Sequence, residues 1–386
     1  MTGNTTAPAP AHTDSAPAAI PELNEAAPQP SAESYRRPVR LLLWGAGPAH
    51  LRFLKSLQKT PIAHAEITLL SPHAEVFSPR MLAGFMANEY TISQCLTDIE
   101  PLLQGSSVRW AGRQGRAMDA ASRTVLLDDR QVMEYDVLSI NIGPQPHREA
   151  VERAIPGARE HGLFVPPLEG FVNLWPKVCE MGRSRALRVA VVGHCTVGFE
   201  LALAVRARMP TAAVTWVPAP QEPPRDYSDA LHQRMLATLR LQRVTVLYEP
   251  VAALERDDVV LASGARLACD VPLLVLSPST PAWLHDTGLA DSADGADGTL
   301  SLGPHILTDA HERSTSHPEV FFVQHDSPVL AHNLRAAMNA EPAQLRPLPA
   351  PGPRFLYGGA QHALLCWHGR CVQGRWVSWL KHFFKG

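Results

Sequence analysis

One pattern restricts this chain more than any other: an unbroken apolar run that ends in a glycine and passes directly into an amphipathic stretch occurs twice. The first copy is Val39-Arg40-Leu41-Leu42-Leu43-Trp44 before Gly45. The second is Leu187-Arg188-Val189-Ala190-Val191-Val192 before Gly193, 148 residues later (193 − 45). Apolar runs without alternation are buried on both faces, as strands of a parallel sheet are. After Gly45, Leu51, Leu54 and Leu57 recur at helical spacing and residues 66–70 read as the next strand. After Gly193, a helix over 199–209 and a strand over 214–217 follow. Shorter strands at 125–127 and 259–261 complete each copy. The repeat predicts an α/β fold with two Rossmann-like dinucleotide-binding domains.

Composition settles what surrounds the two units. Residues 1–37 are mostly Ala, Pro, Thr and Ser, which bury too little surface to offset chain entropy, and read as a disordered tail. The chain has 35 prolines in 386 residues, about twice the usual share. Five of them lie in 342–353, which reads as a linker to a C-terminal α+β piece over 354–386. With 35 basic and 37 acidic side chains the net charge is −2, so nothing marks a nucleic-acid partner. Six scattered cysteines fit a reducing cytoplasm rather than a disulfide scaffold. No window reaches the roughly 20 apolar residues of a membrane span, and no signal-peptide pattern is present. Ser34-Tyr35-Arg36-Arg37 is similar to a twin-arginine export signal, but the run after it is better explained as the first strand. The 17 histidines include no H-x-x-x-H pair, and there is no G-x-S-x-G elbow, so neither a metal centre nor a hydrolytic serine is expected.

The first turn, Gly45-Ala46-Gly47-Pro48-Ala49-His50, follows G-x-G-x-x-G until His50. In this pattern the first glycine permits the turn and the second lets the backbone approach a pyrophosphate. The helix N-terminus then supplies N–H donors. Gly45, Gly47 and Pro48 are therefore candidate ligand contacts. At the end of the next strand, where a carboxylate often holds the ribose, stands Ser71.

These segments, in this order, resemble the FAD-dependent pyridine nucleotide-disulfide oxidoreductase-like proteins related to type II NADH dehydrogenases, especially the branch fused to selenide, water dikinase. Besides the first turn, the resemblance rests on Met81-Leu82-Ala83-Gly84, Tyr135-Asp136-Val137-Leu138-Ser139-Ile140-Asn141-Ile142-Gly143, and Pro167-Leu168-Glu169-Gly170-Phe171. It continues through Val192-Gly193, Gly198-Phe199-Glu200-Leu201-Ala202, Ser316-His317-Pro318-Glu319-Val320-Phe321 and Gly374-Arg375-Trp376. No segment matches the kinase part. The resemblance implies an FAD-binding domain over 38–150 and 285–341 with an NAD(P)H-binding-like domain, 151–284, inserted between its parts. It assigns Gly45, Gly47, Pro48, Ser71, Gly143 and Asp326 to FAD, and Gly193, Gly198 and Glu200 to NAD(P)H. The implied activity is hydride transfer from nicotinamide to flavin and on to a quinone-like or other small-molecule acceptor. It names no acid–base residue.

The departures from that pattern fall at ligand positions. In Gly193-His194-Cys195-Thr196-Val197-Gly198 the middle glycine is Cys195, and Trp216-Val217-Pro218 offers no ribose carboxylate, the nearest acid being Glu222. His325 replaces the glycine before Asp326, Ser327-Pro328 leads almost directly into 330–338 where the family has a longer loop, and Pro166 replaces a basic residue. Two functions fit this mixture: an oxidoreductase with a weakened NADH site, or a non-enzymatic binding or regulatory protein that keeps the flavoprotein fold. Cys195, ahead of a helix, is read as a space-filling side chain in preference to a reactive thiol. Cys366 and Cys371, in a strand-turn-strand, are read as packing or surface thiols in preference to a catalytic pair, and His368 lacks companions for a metal. Trp376, Trp379, Leu380 and Phe383 recur at helical spacing with Lys381 and Lys385 on another face. That helix either rests peripherally on a membrane, as in type II NADH dehydrogenases, or docks on the protein itself.

Overall fold

The run over 39–44 is buried for the reason its pattern gives: it is the middle strand of a parallel sheet with packed residues on both faces. In the computed structural model the described residues are Met1, 37–62, 64–142, 148–193, 196–218, 228–275, 287, 289–291, 305–306, 308–323, 326–350, 352–360, 362–367 and 370–383. Residues 2–36, almost all of the expected tail, lie outside them. Along the chain, Val39–Trp44 (β1) runs into Pro48–Lys59 (α1) and Ala65–Leu70 (β2). Leu82–Met86 (α2), Val108–Ala111 (β3) and Val137–Ile140 (β4) follow. Leu163–Phe164 (β5) and Leu168–Ser184 (α3) lead to Arg188–Val192 (β6), Thr196–Arg208 (α4) and Ala213–Val217 (β7). Next come Asp229–Leu241 (α5), Thr245–Val246 (β8), Val271–Leu274 (β9), Val320–Phe322 (β10) and Leu330–Met338 (α6). Arg354–Tyr357 (β11), Ala363–Trp367 (β12), Arg370–Gly374 (β13) and Arg375–Phe383 (α7) come last.

Two five-stranded sheets result. The first has the order β10-β4-β1-β2-β3 and the second β5-β9-β6-β7-β8, every pairing parallel. Each places its glycine strand third, so both turns open where the strand order reverses. The first sheet is closed by β10, which follows the entire second sheet in sequence. Each sheet carries apolar side chains on both faces. Phe53, Leu54 and Leu57 of α1 pack with Leu330 and Leu334 of α6 against Leu41 and Leu43. Leu42, Trp44, Leu138 and Ile140 face the opposite core.

The strands at 125–127 and 259–261 belong to separate three-stranded antiparallel sheets, as Thr124–Leu127 and Asp258–Leu261. Helix α4 differs more from expectation. The sequence predicts one apolar face, but Phe199 and Leu201 through Val205 are buried around nearly the whole circumference. The outer face is covered by α2 and by the C-terminal β11-β12-β13 sheet, whose Leu356, Tyr357 and Leu364 share one core with it. The proline-rich 342–353 stretch is held to α6: Arg346 N–H donates to Asn333 Oδ1 at 2.8 Å and Asn333 Nδ2 to Arg346 O at 2.9 Å.

Both sheets use one device to register the central strand. Asp136 N–H donates to Arg40 O, and the Asp136 carboxylate accepts from Arg40 N and from its guanidinium. Arg188 and Asp270 repeat this with the same atoms at 2.7–3.1 Å, and Arg185 adds a further donor. The arginines hold the Asp270 carboxyl far below the usual range.

Candidate functional site

The first glycine turn is built around Asn141, which lies within the 135–143 segment. Its backbone N–H donates to Trp44 O, and its carbonyl accepts from Gly47 N at 3.0 Å. Its Oδ1 accepts from Ala49 N at 3.1 Å and its Nδ2 donates to Val323 O at 2.6 Å. One buried residue thus closes the turn with its backbone, and with its side chain caps α1 and ties in the segment after β10. Gly45 sits at φ +94, and a Cβ on it or on Gly47 would overlap Asn141. Both glycines are therefore fixed by the chain's own packing, and Pro48 is the first residue of α1, where its missing N–H costs nothing.

His50 occupies the third glycine position and is fully buried. Its Nδ1 lies 2.6 Å from Gly45 O, which only accepts, so Nδ1 carries the proton and Nε2 accepts the Ser139 hydroxyl at 2.8 Å. Burial lowers its pKa to about 4, against the smaller upward pull of the Gly45 carbonyl. It is a neutral core imidazole filling the space between α1 and β4. Ser71 adjoins the turn, since Gly45 N donates to Leu70 O, and its hydroxyl donates to His73 O at 3.3 Å.

Asp326 comes to the same place. Its Oδ2 accepts from Arg52 of α1 at 2.5 Å and from Arg80 at 3.0 Å, while the buried Oδ1 has no partner. The next residue, Ser327, donates its hydroxyl to Glu312 Oε2 at 2.5 Å. Burial and then the Asp326 charge raise the Glu312 carboxyl, against the Ser327 hydrogen bond. Glu312 itself is a non-glycine residue at φ +66, a conformation held by Glu312 N–Asp309 O and Phe322 N–Glu312 O bonds. No pattern in the sequence singled out Arg52, Arg80 or Glu312.

The second turn is closed from inside. Gly193, at φ +149, leaves no room for a Cβ against Val275 O, and its carbonyl accepts from Trp216 Nε1 at 2.9 Å. A Cβ on Gly198 would crowd the same Gly193 carbonyl and Trp216 ring. At the start of α4, Arg354 donates to Thr196 Oγ1 at 2.7 Å and Tyr357 N to Glu200 Oε1 at 2.5 Å. Glu200 is thus committed to β11. Gly143, Cys195, Glu222, His325, His368 and Lys385 lie outside the described residues. Among the described residues no group of three or more His, Cys, Asp or Glu side chains forms a metal-binding cluster.

No protein-family profile matches the sequence, and no curated protein does. Solved structures do. The sulfide:quinone oxidoreductase of Aquifex aeolicus aligns over 90% of this chain and 89% of its own, with TM-score 0.69 and 15% identity. NDH2 from Plasmodium falciparum, solved in complex with NADH, aligns over 90% and 94% with TM-score 0.68 and 10% identity. A ferredoxin reductase from Rhodopseudomonas palustris aligns over 84% and 81% with TM-score 0.65 and 16% identity. At these identities the likeness is one of fold, and it bears out the fold that the resemblance implied: the chain has the fold of the FAD-dependent pyridine nucleotide-disulfide oxidoreductases.

Proposed function

We propose that the chain is an FAD-dependent NAD(P)H oxidoreductase that passes reducing equivalents to a quinone-like or other small-molecule acceptor. The observation that carries this is Asp326: a buried carboxylate with one unpartnered oxygen, flanked by two guanidinium groups, of which Arg52 belongs to the helix that the glycine turn opens. That donor set fits a ligand with hydroxyl donors and an anionic diphosphate. Asp326 Oδ1 would accept a ribityl hydroxyl, while Arg52, Arg80 and the α1 N-terminus would balance the phosphates. Because Asn141 already accepts the Gly47 and Ala49 N–H groups, the two arginines carry more of that charge than the turn does. When bound, the flavin accepts a hydride from nicotinamide and supplies the electrons passed to the acceptor. Glu312, with its raised carboxyl, is the group beside Asp326 suited to hold a proton. The sheet order supports domain limits of 38–150 with 285–341 for FAD and 151–284 for NAD(P)H.

A second reading, a non-enzymatic binding or regulatory protein, is favoured by one observation: Glu200, expected to line the NAD(P)H site, and Thr196 at the start of the same helix are taken by Tyr357 and Arg354. The absorption spectrum of the purified protein separates the two. The oxidoreductase reading expects the two visible bands of oxidised flavin, bleached by NADH or NADPH. A colourless protein that stays colourless after incubation with FAD would overturn it, and a flavin that no nicotinamide bleaches would support the second.

The same reading puts the protein in the cytoplasm, resting on a membrane through α7. Val377 is fully buried and docks the helix, while Trp367, Trp376 and Trp379 are more than half exposed beside exposed Arg370 and Arg375. No helix among the described residues is long and apolar enough to cross a membrane.

A further inference from the structure

Strands β12 and β13 are joined by two residues, and Trp367 pairs with Arg370 on either side of that connection. The next pair outward is Cys366 opposite Cys371. In a hairpin with a two-residue connection, the pair flanking it is hydrogen-bonded and the next is not. Strands approach most closely at such non-hydrogen-bonded positions, at about 4.5 Å between Cα atoms, within the range a disulfide spans. The two sulfurs lie 2.7 Å apart, both half-buried on a short strand pair rather than locked in a core. Cys95, Cys179 and Cys269, by contrast, are buried.

We propose that Cys366 and Cys371 form a reversible dithiol–disulfide couple that exchanges with low-molecular-weight disulfides. Burial, and then the neighbouring sulfur, push the Cys366 thiol up to about 12, against a small downward pull from Arg354. Cys366 therefore keeps its proton and Cys371 makes the first attack. The Cys371 thiolate bonds to one sulfur of the small disulfide and expels the other half as a thiolate. Cys366 then loses its proton, bonds to the Cys371 sulfur and expels the second half. Two cysteine thiols are oxidised, one small disulfide is reduced to two thiols, and the two cysteine protons go to the leaving thiolates. The ring so closed is short and restrains the unfolded chain little, which leaves the bond open to reduction by thiols. The couple needs neither flavin nor nicotinamide, so it stands or falls separately from the oxidoreductase reading.

The test is peptide mapping of the full chain after incubation with oxidised glutathione and quenching with iodoacetamide. Trypsin cuts after Arg354, Arg370 and Arg375, leaving Cys366 in peptide 355–370 and Cys371 in 371–375. The expected product is these two peptides joined, separating on reduction, with both thiols lost to alkylation. In C366S and C371S the joined species is absent, and in C366S the remaining Cys371 carries a glutathione mixed disulfide. Recovery of both peptides unjoined and alkylated, from protein of unchanged circular dichroism, would overturn the proposal. So would joining of either cysteine to a third one.

Discussion

His50 shows how a single residue alters the first turn without breaking it. A glycine there lets a helix approach a strand; the imidazole instead bonds both Gly45 and Ser139, the latter 89 residues away in sequence. Unfolded, the side chain titrates near 6.5, and folded near 4. Between those values the unfolded chain binds more protons, so the stability tied to neutral His50 is complete above the unfolded value and is lost as pH falls toward the folded one. The loss totals roughly 3 kcal/mol, most of it by pH 5. Urea unfolding of wild type and His50→Gln at pH 7 and 5 checks this. Wild type should lose about 2 kcal/mol more than the variant over that interval, and parallel losses would sink the idea. The turn itself was legible, because glycine and proline positions carry their own backbone geometry. Arg52 and Arg80 were not, since an arginine on a helix or loop has no periodic signature and these meet Asp326 from 274 and 246 residues away.

At the scale of elements, duplication was the strongest signal in the sequence, and the structure deepens it. Arg40–Asp136 and Arg188–Asp270 are equivalent locks between the glycine strand of each sheet and its neighbour, β1 with β4 and β6 with β9. Each lock should act on its own sheet. Asp270→Asn is expected to speed amide hydrogen exchange in β6 and β9 while leaving β1 and β4 unchanged, with the reverse pattern for Asp136→Asn. Equal acceleration in both sheets would show that the locks act only on global stability. Strand positions came within a residue or two of expectation because continuous apolar runs have few alternatives. The depth of α4 did not, because its outer face is covered by β11, about 150 residues further on. Local periodicity reports which side chains are apolar, and it reports nothing about how many layers close over them.

Across the whole molecule, the exposed tryptophans and the discontinuous sheet stand out. If Trp376 and Trp379 seat α7 in a lipid surface, the protein should sediment with phosphatidylglycerol-containing vesicles, and Trp376→Ser with Trp379→Ser should reduce the bound fraction about tenfold or more. Equal binding by the double variant would assign those side chains elsewhere. The order in which the first sheet is completed has a consequence for synthesis. Strands β1, β2, β3 and β4 leave the ribosome early, but the bond from Asn141 to Val323 spans 182 residues. At 5–20 residues per second, β4 waits on the order of ten seconds or more as an unpaired sheet edge, and Asn141 waits for its last acceptor. A nascent chain in that interval presents the kind of edge to which other chains add. The growing polypeptide is therefore most in need of a chaperone while its second sheet is being made, and β10 is the segment whose arrival ends that need.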